Sequence, residues 1–151
     1  MTDDIDRIMA VMEAAFDPQW GEAWTRRQVE GSLMMASTHY RLMDEAGGIP
    51  EEGKQAAAFA MVRAAPGEEE LLLIATVPQL RGNGLGARMI GWLADDARGR
   101  GATQMFLEMR ENNPALSLYR RQGFTPIGRR KGYYTAADGS RIDAITFVKP
   151  L

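Results

Sequence analysis

Cysteine is absent from this 151-residue chain, and histidine occurs only once. The first absence excludes disulfides, a thiol nucleophile and zinc held by thiolates, and it agrees with a reducing compartment. The second leaves any serine–histidine–aspartate mechanism dependent on His39, which reads more simply as a packed strand residue. Long apolar runs are also missing, since nothing approaches the ~20 residues that span a bilayer. The N-terminus, Met1-Thr2-Asp3-Asp4, is acidic where a secretory signal is positively charged. A cytoplasmic protein without membrane association is the expectation. There is no excess of positive charge: 18 Lys and Arg against 20 Asp and Glu leave a net charge of −2. A general attraction to phosphate backbones is therefore lacking, and nucleic acid is not expected as a partner. Asp95 and Asp96 are adjacent on a helix and diverge, so they make a poor metal pair.

What is present is an ordinary globular composition, 45% hydrophobic and 25% charged. Its length suits one core, and residues 1–151 read as a single domain. Ile5, Ile8, Met9, Met12 and Phe16 recur at helical spacing and predict a helix over 3–16. Thr25 and Gln28 form a capping-box pair, with Trp24 and Val29 in the positions of a hydrophobic staple, so a second helix is expected over 25–35. The period then changes to two. Tyr40 and Leu42, then Phe59 and Met61 beyond a Gly- and Glu-rich stretch at 45–54, predict a hairpin with a long connection. Leu71 to Thr76 is too continuously apolar for a half-exposed strand and predicts a central one. Leu85, Met89, Leu93 and Ala97 mark a helix ending near 99–101, and Met105 with Leu107 a further strand. Asn113-Pro114 starts a helix closed by Gly123, and the last strands fall at 124–129 and 141–148 around the turn Asp138-Gly139. The fold class is mixed α/β (α+β).

The most informative turn is Arg81-Gly82-Asn83-Gly84-Leu85-Gly86, between a predicted buried strand and a predicted helix. Free backbone amides at a helix N-terminus make an anion site, and glycine lets a diphosphate come close. Gly82-x-Gly84-x-x-Ala87 also satisfies the loose dinucleotide fingerprint of a Rossmann fold. That reading lacks its acidic ribose ligand, because 100–104 contains no acid, and two helices and a hairpin precede the turn. A glycine-rich connection that holds no ligand is the other alternative.

The turn resembles the Q/R-x-x-G-x-G/A motif of the GNAT superfamily of N-acetyltransferases, with Arg81, Gly84 and Gly86 in its fixed positions. Leu107 to Phe124, LEMRENNPALSLYRRQGF, is similar to the corresponding series of one subgroup, the bacterial ribosomal-protein alanine N-acetyltransferases. So are Trp24-Thr25, Ile74-Ala75-Thr76, Arg129, Tyr133-Tyr134 and Asp143-Ala144-Ile145. The resemblance implies a single-domain GNAT fold, a mixed central β-sheet flanked by helices, with acetyl-CoA as cosubstrate and no metal. It implies that Ile74, Ala75 and Thr76 pair with the pantetheine arm. Arg81, Gly82, Asn83, Gly84, Leu85, Gly86 and Ala87 would surround the diphosphate. It further implies Glu108 as proton acceptor, Tyr119 as proton donor and Asn112 as a coenzyme contact. The interval from Glu108 to Tyr119 is one residue shorter than the subgroup's, so Asn113 is the alternative to Asn112. A serine after Asp138-Gly139 and Ile142 before Asp143 are further departures, and they bear on the acceptor.

By spacing alone, Glu108 reads equally as a solvated strand residue and Tyr119 as a packing partner of Leu116. Energetics narrow the acceptor. Neutralising an α-amine of pKa ~7.8 at pH 7 costs about 1 kcal/mol, against roughly 4.6 kcal/mol for a lysine of pKa ~10.4. One carboxylate suits the former, so the expected acceptor is the N-terminal α-amine of a protein such as a ribosomal protein. An acetyltransferase of small-molecule amines and a non-catalytic acyl-CoA-binding module are the alternatives.

Overall fold

A computed structural model of the chain describes residues 3–18 and 21–151. Helix α1 (Asp4–Ala15) starts where the Asp3 carboxylate accepts the Asp6 amide at 2.8 Å. Helix α2 (Arg26–Leu33) carries the capping box read from the sequence. Thr25 Oγ1 accepts the Gln28 amide at 3.2 Å, and Gln28 Oε1 accepts the Thr25 amide at 2.8 Å.

Six strands follow: β1 (Thr38–Met43), β2 (Ala58–Ala65), β3 (Glu68–Thr76), β4 (Gln104–Arg110), β5 (Thr125–Thr135) and β6 (Arg141–Pro150). Their order in the sheet is β1-β2-β3-β4-β6-β5, and only β3 and β4 run parallel. Helix α3 (Leu85–Gly99) connects that parallel pair. It packs Leu85, Met89, Ile90 and Leu93 on one sheet face together with Tyr119 of α4 (Leu116–Arg121). Helices α1 and α2 bury Ile8, Val11, Met12 and Val29 against Phe59, Met61 and Leu73 on the other.

Because both faces are covered, the alternation of β2 is not one of exposure, and Ala58 to Val62 are all buried. Ala58, Ala60 and Val62 face α3 while Phe59 and Met61 face α1. Strand β3 is central, as its apolar run predicts, but it begins three residues earlier, at Glu68. Helix α4 begins at Leu116, later than Asn113-Pro114 suggests. The Asn113 side chain takes the Ala115 amide at 2.8 Å and its carbonyl takes the Leu116 amide at 3.1 Å, a turn that competes with the helix. Strand β5 continues past the expected 129 to Thr135 through an irregularity between Arg130 and Tyr134, where Gly132 donates its amide to Asp143 Oδ1 at 2.9 Å.

One irregularity shapes the whole sheet. Leu71 pairs with Val62 and Leu73 with Met61, so Leu72 is an extra residue in β3. The side chains before and after it face opposite cores, Leu71 toward α3 and Leu73 with Ala75 toward α1. Such a bulge bends its strand and increases its twist. Parallel pairing accordingly stops just before it, after Glu68↔Gln104, Glu69↔Met105 and Glu70↔Phe106. Beyond that point β3 and β4 part, and the edge of Ile74–Thr76 that faces β4 has no strand partner among the described residues. At the closed end Glu69, 1% exposed, is held by Arg100 through two hydrogen bonds of 2.7 Å. No described helix is long and apolar enough to cross a membrane.

Candidate active site

Where the two strands part, a cleft of 790 Å³ opens. Ile74, Ala75 and Thr76 form one wall, the turn from Arg81 to Ala87 the floor, and the segment from Asn113 to Arg121 the opposite wall. Ala15, Phe16, Asp17 and Glu22, around the end of α1, close one side.

The turn has the geometry of an anion cradle. Gly82 and Gly84 sit at φ +83° and +81°, and a Cβ at either would meet nothing within 4 Å, so the space before them is free. The Arg88 amide makes the first bond of the helix, to the Gly84 carbonyl at 3.1 Å. The amides of Leu85, Gly86 and Ala87 therefore lack an intrahelical acceptor at the positive end of the α3 dipole. Gly86 serves another purpose than ligand approach, since a Cβ there would lie 2.8 Å from Leu118 Cδ2. The third glycine lets α4 pack on α3. Asn83 does not line the cleft; its side-chain amide donates back to the Leu80 carbonyl at 3.0 Å. Arg81 donates through Nη2 to the Ala15 carbonyl at 2.7 Å and so ties the turn to the last residue of α1.

Tyr119 lines the cleft from α4 and is 6% exposed, with Phe124 edge-on at 5.8 Å between ring centroids. Burial, and after it the Glu22 carboxylate, push its hydroxyl above the usual tyrosine range. At neutral pH its hydroxyl keeps its proton. Glu22 was not marked by any sequence pattern, because it lies in the connection between α1 and α2. It accepts Arg110 Nε at 3.1 Å, and Arg110 Nη1 donates to Asn112 Oδ1 at 2.9 Å. That bond turns Asn112 toward Arg110, and Asn113 is the asparagine that lines the cleft.

Glu108 stands two residues before Arg110 on the same face of β4 and lies just outside the cleft lining. Its Oε2 forms an ion pair with Arg130 Nε at 3.0 Å and accepts the Thr146 hydroxyl at 3.4 Å. Tyr134 of β5 completes the cluster. Its hydroxyl is pushed up to about 12 by burial and then by Glu108 and Glu22, with Arg110 opposing. The structure thus gathers the turn, the β3 edge, Tyr119 and Asn113 in one cavity, with Glu108 at its border beside Arg130.

The profile of the acetyltransferase (GNAT) family matches residues 5–124. A ribosomal protein bS18 alanine N-acetyltransferase of Escherichia coli is 36% identical over 104 residues, 68% of this chain and 69% of that protein. The Haemophilus influenzae enzyme of the same name is 34% identical over 94 residues, 62% of this chain and 64% of that protein, slightly under two-thirds of its length. The crystal structure of the E. coli ribosomal-protein-S18-alanine N-acetyltransferase aligns with a TM-score of 0.80 at 27% identity, covering 99% of this chain and 89% of that one.

Proposed function

The chain belongs to the acetyltransferase (GNAT) family, and on that footing we propose that it moves the acetyl group of acetyl-CoA to the N-terminal α-amine of a protein. We read residues 1–151 as one catalytic domain working in the cytoplasm. The observation that carries this is the cleft at the parting of β3 and β4, which combines a free strand edge, a helix N-terminus and a protonated tyrosine. The relatives' names, which specify alanine of a ribosomal protein, support such a protein as the acceptor.

The residues fit the cosubstrate in kind. The open cradle at Gly82 and Gly84 and the amides of 85–87 suit the diphosphate. The edge at Ile74–Thr76 offers backbone donors and acceptors to the amides of the pantetheine arm. Asn113, or Asn112 if it leaves Arg110, supplies a further polar contact. The thioester brings an acyl group that is already activated, so the protein has to hold a neutral amine in line and look after two protons. Glu108 takes one from the attacking amine, directly or through water. Tyr119 holds the other for the departing sulfur. With no cysteine in the chain, transfer within a ternary complex is favoured over a covalent relay.

The test is a peptide with a free N-terminal alanine and an internal lysine, incubated with acetyl-CoA beside a panel of small amines. Mass spectrometry should place the acetyl group on the α-amine. Acetylation of lysine alone, or of the small amines alone, would overturn the acceptor, and binding of CoA without any turnover would make the chain a binding module.

A further inference from the structure

Resting on the reading of the cleft as a coenzyme site, we propose that Arg121 recognises the 3′-phosphate of the coenzyme and gives the protein a preference for CoA over dephospho-CoA. CoA carries a phosphomonoester dianion on its ribose besides the diphosphate. A chain of net charge −2 must answer that charge locally. Backbone amides at the turn can serve the diphosphate but add no full positive charge.

Three arginines line the cleft. Arg81 is committed to the Ala15 carbonyl, and Arg110 to Glu22 and Asn112. Arg121 is exposed and, among the described residues, its side chain has no ion pair or hydrogen bond. Its position is set by helix geometry. Leu118 packs so closely on the first turn of α3 that a Cβ at Gly86 would meet it at 2.8 Å. Arg121 lies three residues further along α4 on the same face, one turn from that contact. Its guanidinium is thus carried beside the turn that we assign to the diphosphate, at the outer end of the cleft. Lys149, another cation near the end of α4, is held by the Gln122 carbonyl at 2.5 Å. Arg120 is exposed as well but does not line the cleft. A planar guanidinium matches two phosphate oxygens at once, which makes arginine the apt residue for this task.

Calorimetric titration of CoA and of dephospho-CoA into the wild-type protein, Arg121→Gln, Arg121→Lys and Arg120→Gln tests this. The wild type should bind CoA about three- to tenfold more tightly than dephospho-CoA, the scale of an exposed but charge-assisted phosphate contact. Arg121→Gln should bring the ratio near unity by weakening CoA alone, Arg121→Lys should keep part of it, and Arg120→Gln, with the same charge change, should keep all of it. Equal binding of the two coenzymes by the wild type, a ratio that survives Arg121→Gln, or an equal loss in Arg120→Gln would each overturn the assignment. If the wild type binds neither coenzyme, the acetyl-CoA reading itself falls and this inference falls with it.

Discussion

Arg130 Nε lies 3.0 Å from Glu108 Oε2, so the carboxylate proposed as base already faces a guanidinium, which in turn stacks over the Tyr133 ring at 4.8 Å. The pair links β5 to β4 across β6, and the Arg130 side chain is 62% exposed. Glu108→Gln should lower turnover by ~10²-fold at neutral pH, the scale of general-base catalysis, with CoA affinity nearly unchanged. Raising the pH should recover part of the loss, because more of the acceptor is then neutral. Rates across pH 6 to about 9.5 check both statements, and wild-type turnover in this variant would remove Glu108 from the mechanism.

The tyrosines differ from Glu108 in their expected pH behaviour. Tyr119 is held above the usual range by burial and then Glu22, so it keeps its proton through the assay range. Tyr119→Phe should slow transfer without rescue at high pH, since the missing proton belongs to the leaving thiolate. Stability follows the same shifts. Tyr40, raised to about 12 by burial and then by its bond to Asp4, and Tyr134, raised to about 12, stay neutral in the fold while the unfolded chain loses protons from about pH 10. Their contribution is complete below pH ~10 and is lost as pH rises toward the folded values. Thermal melts between pH 9 and about 12 should show this decline, and it should be shallower in Tyr134→Phe.

Gly84 and Gly86 of the turn should fail in different ways. Gly84→Val places a branched residue at φ +81°, costing about 1–2 kcal/mol, and fills the open cradle, so CoA should bind more than tenfold more weakly. Gly86→Ala should mainly destabilise, by about 1 kcal/mol, because Leu118 must give way. Adding Leu118→Ala should relieve that clash. Denaturant titration paired with calorimetry separates the two, and an unchanged CoA affinity in Gly84→Val would count against the cradle.

Arg100→Ala should be the most damaging surface substitution, at about 3 kcal/mol, because it strands the Glu69 carboxylate, 1% exposed, without its partner. Glu69→Gln in the same background should restore part of the stability. Urea unfolding of the two variants is the measurement, and a cost below about 1 kcal/mol would mean that the pair is no stronger than an exposed one.

Local chemistry was legible in the sequence where a few neighbouring residues suffice. The capping box at Thr25 and Gln28, the apolar stripe of α3 and the Arg81–Gly86 turn all needed only their own spacing. Relationships between distant segments were not. Nothing around Leu72 announces an extra residue, because a bulge is defined against the partner strand. Glu69 sits in a run of three glutamates, and Arg100, 31 positions on, makes its burial tolerable. Glu22, Arg130 and Thr146 reach the site from three other segments, so no window of sequence could place them beside Tyr119 or Glu108. Asn112 and Asn113 are adjacent in sequence, and what distinguishes their surroundings is Arg110, whose side chain bonds the first of them while the second lines the cleft.

The bulge at Leu72 also divides the molecule mechanically. Strands β1, β2 and β3 come from residues 38–76 and strands β4, β6 and β5 from 104–150, and among the described residues the backbone ladder between the two triplets has three parallel residue pairs, with α3 laid across. Each triplet is built from its own stretch of chain, while the seam between them closes a longer loop. Amide hydrogens at its open end should exchange before those of either triplet, which hydrogen-exchange measurement would check. A long ligand lying in the gap would touch both triplets and act as a suture, adding its binding free energy to this joint.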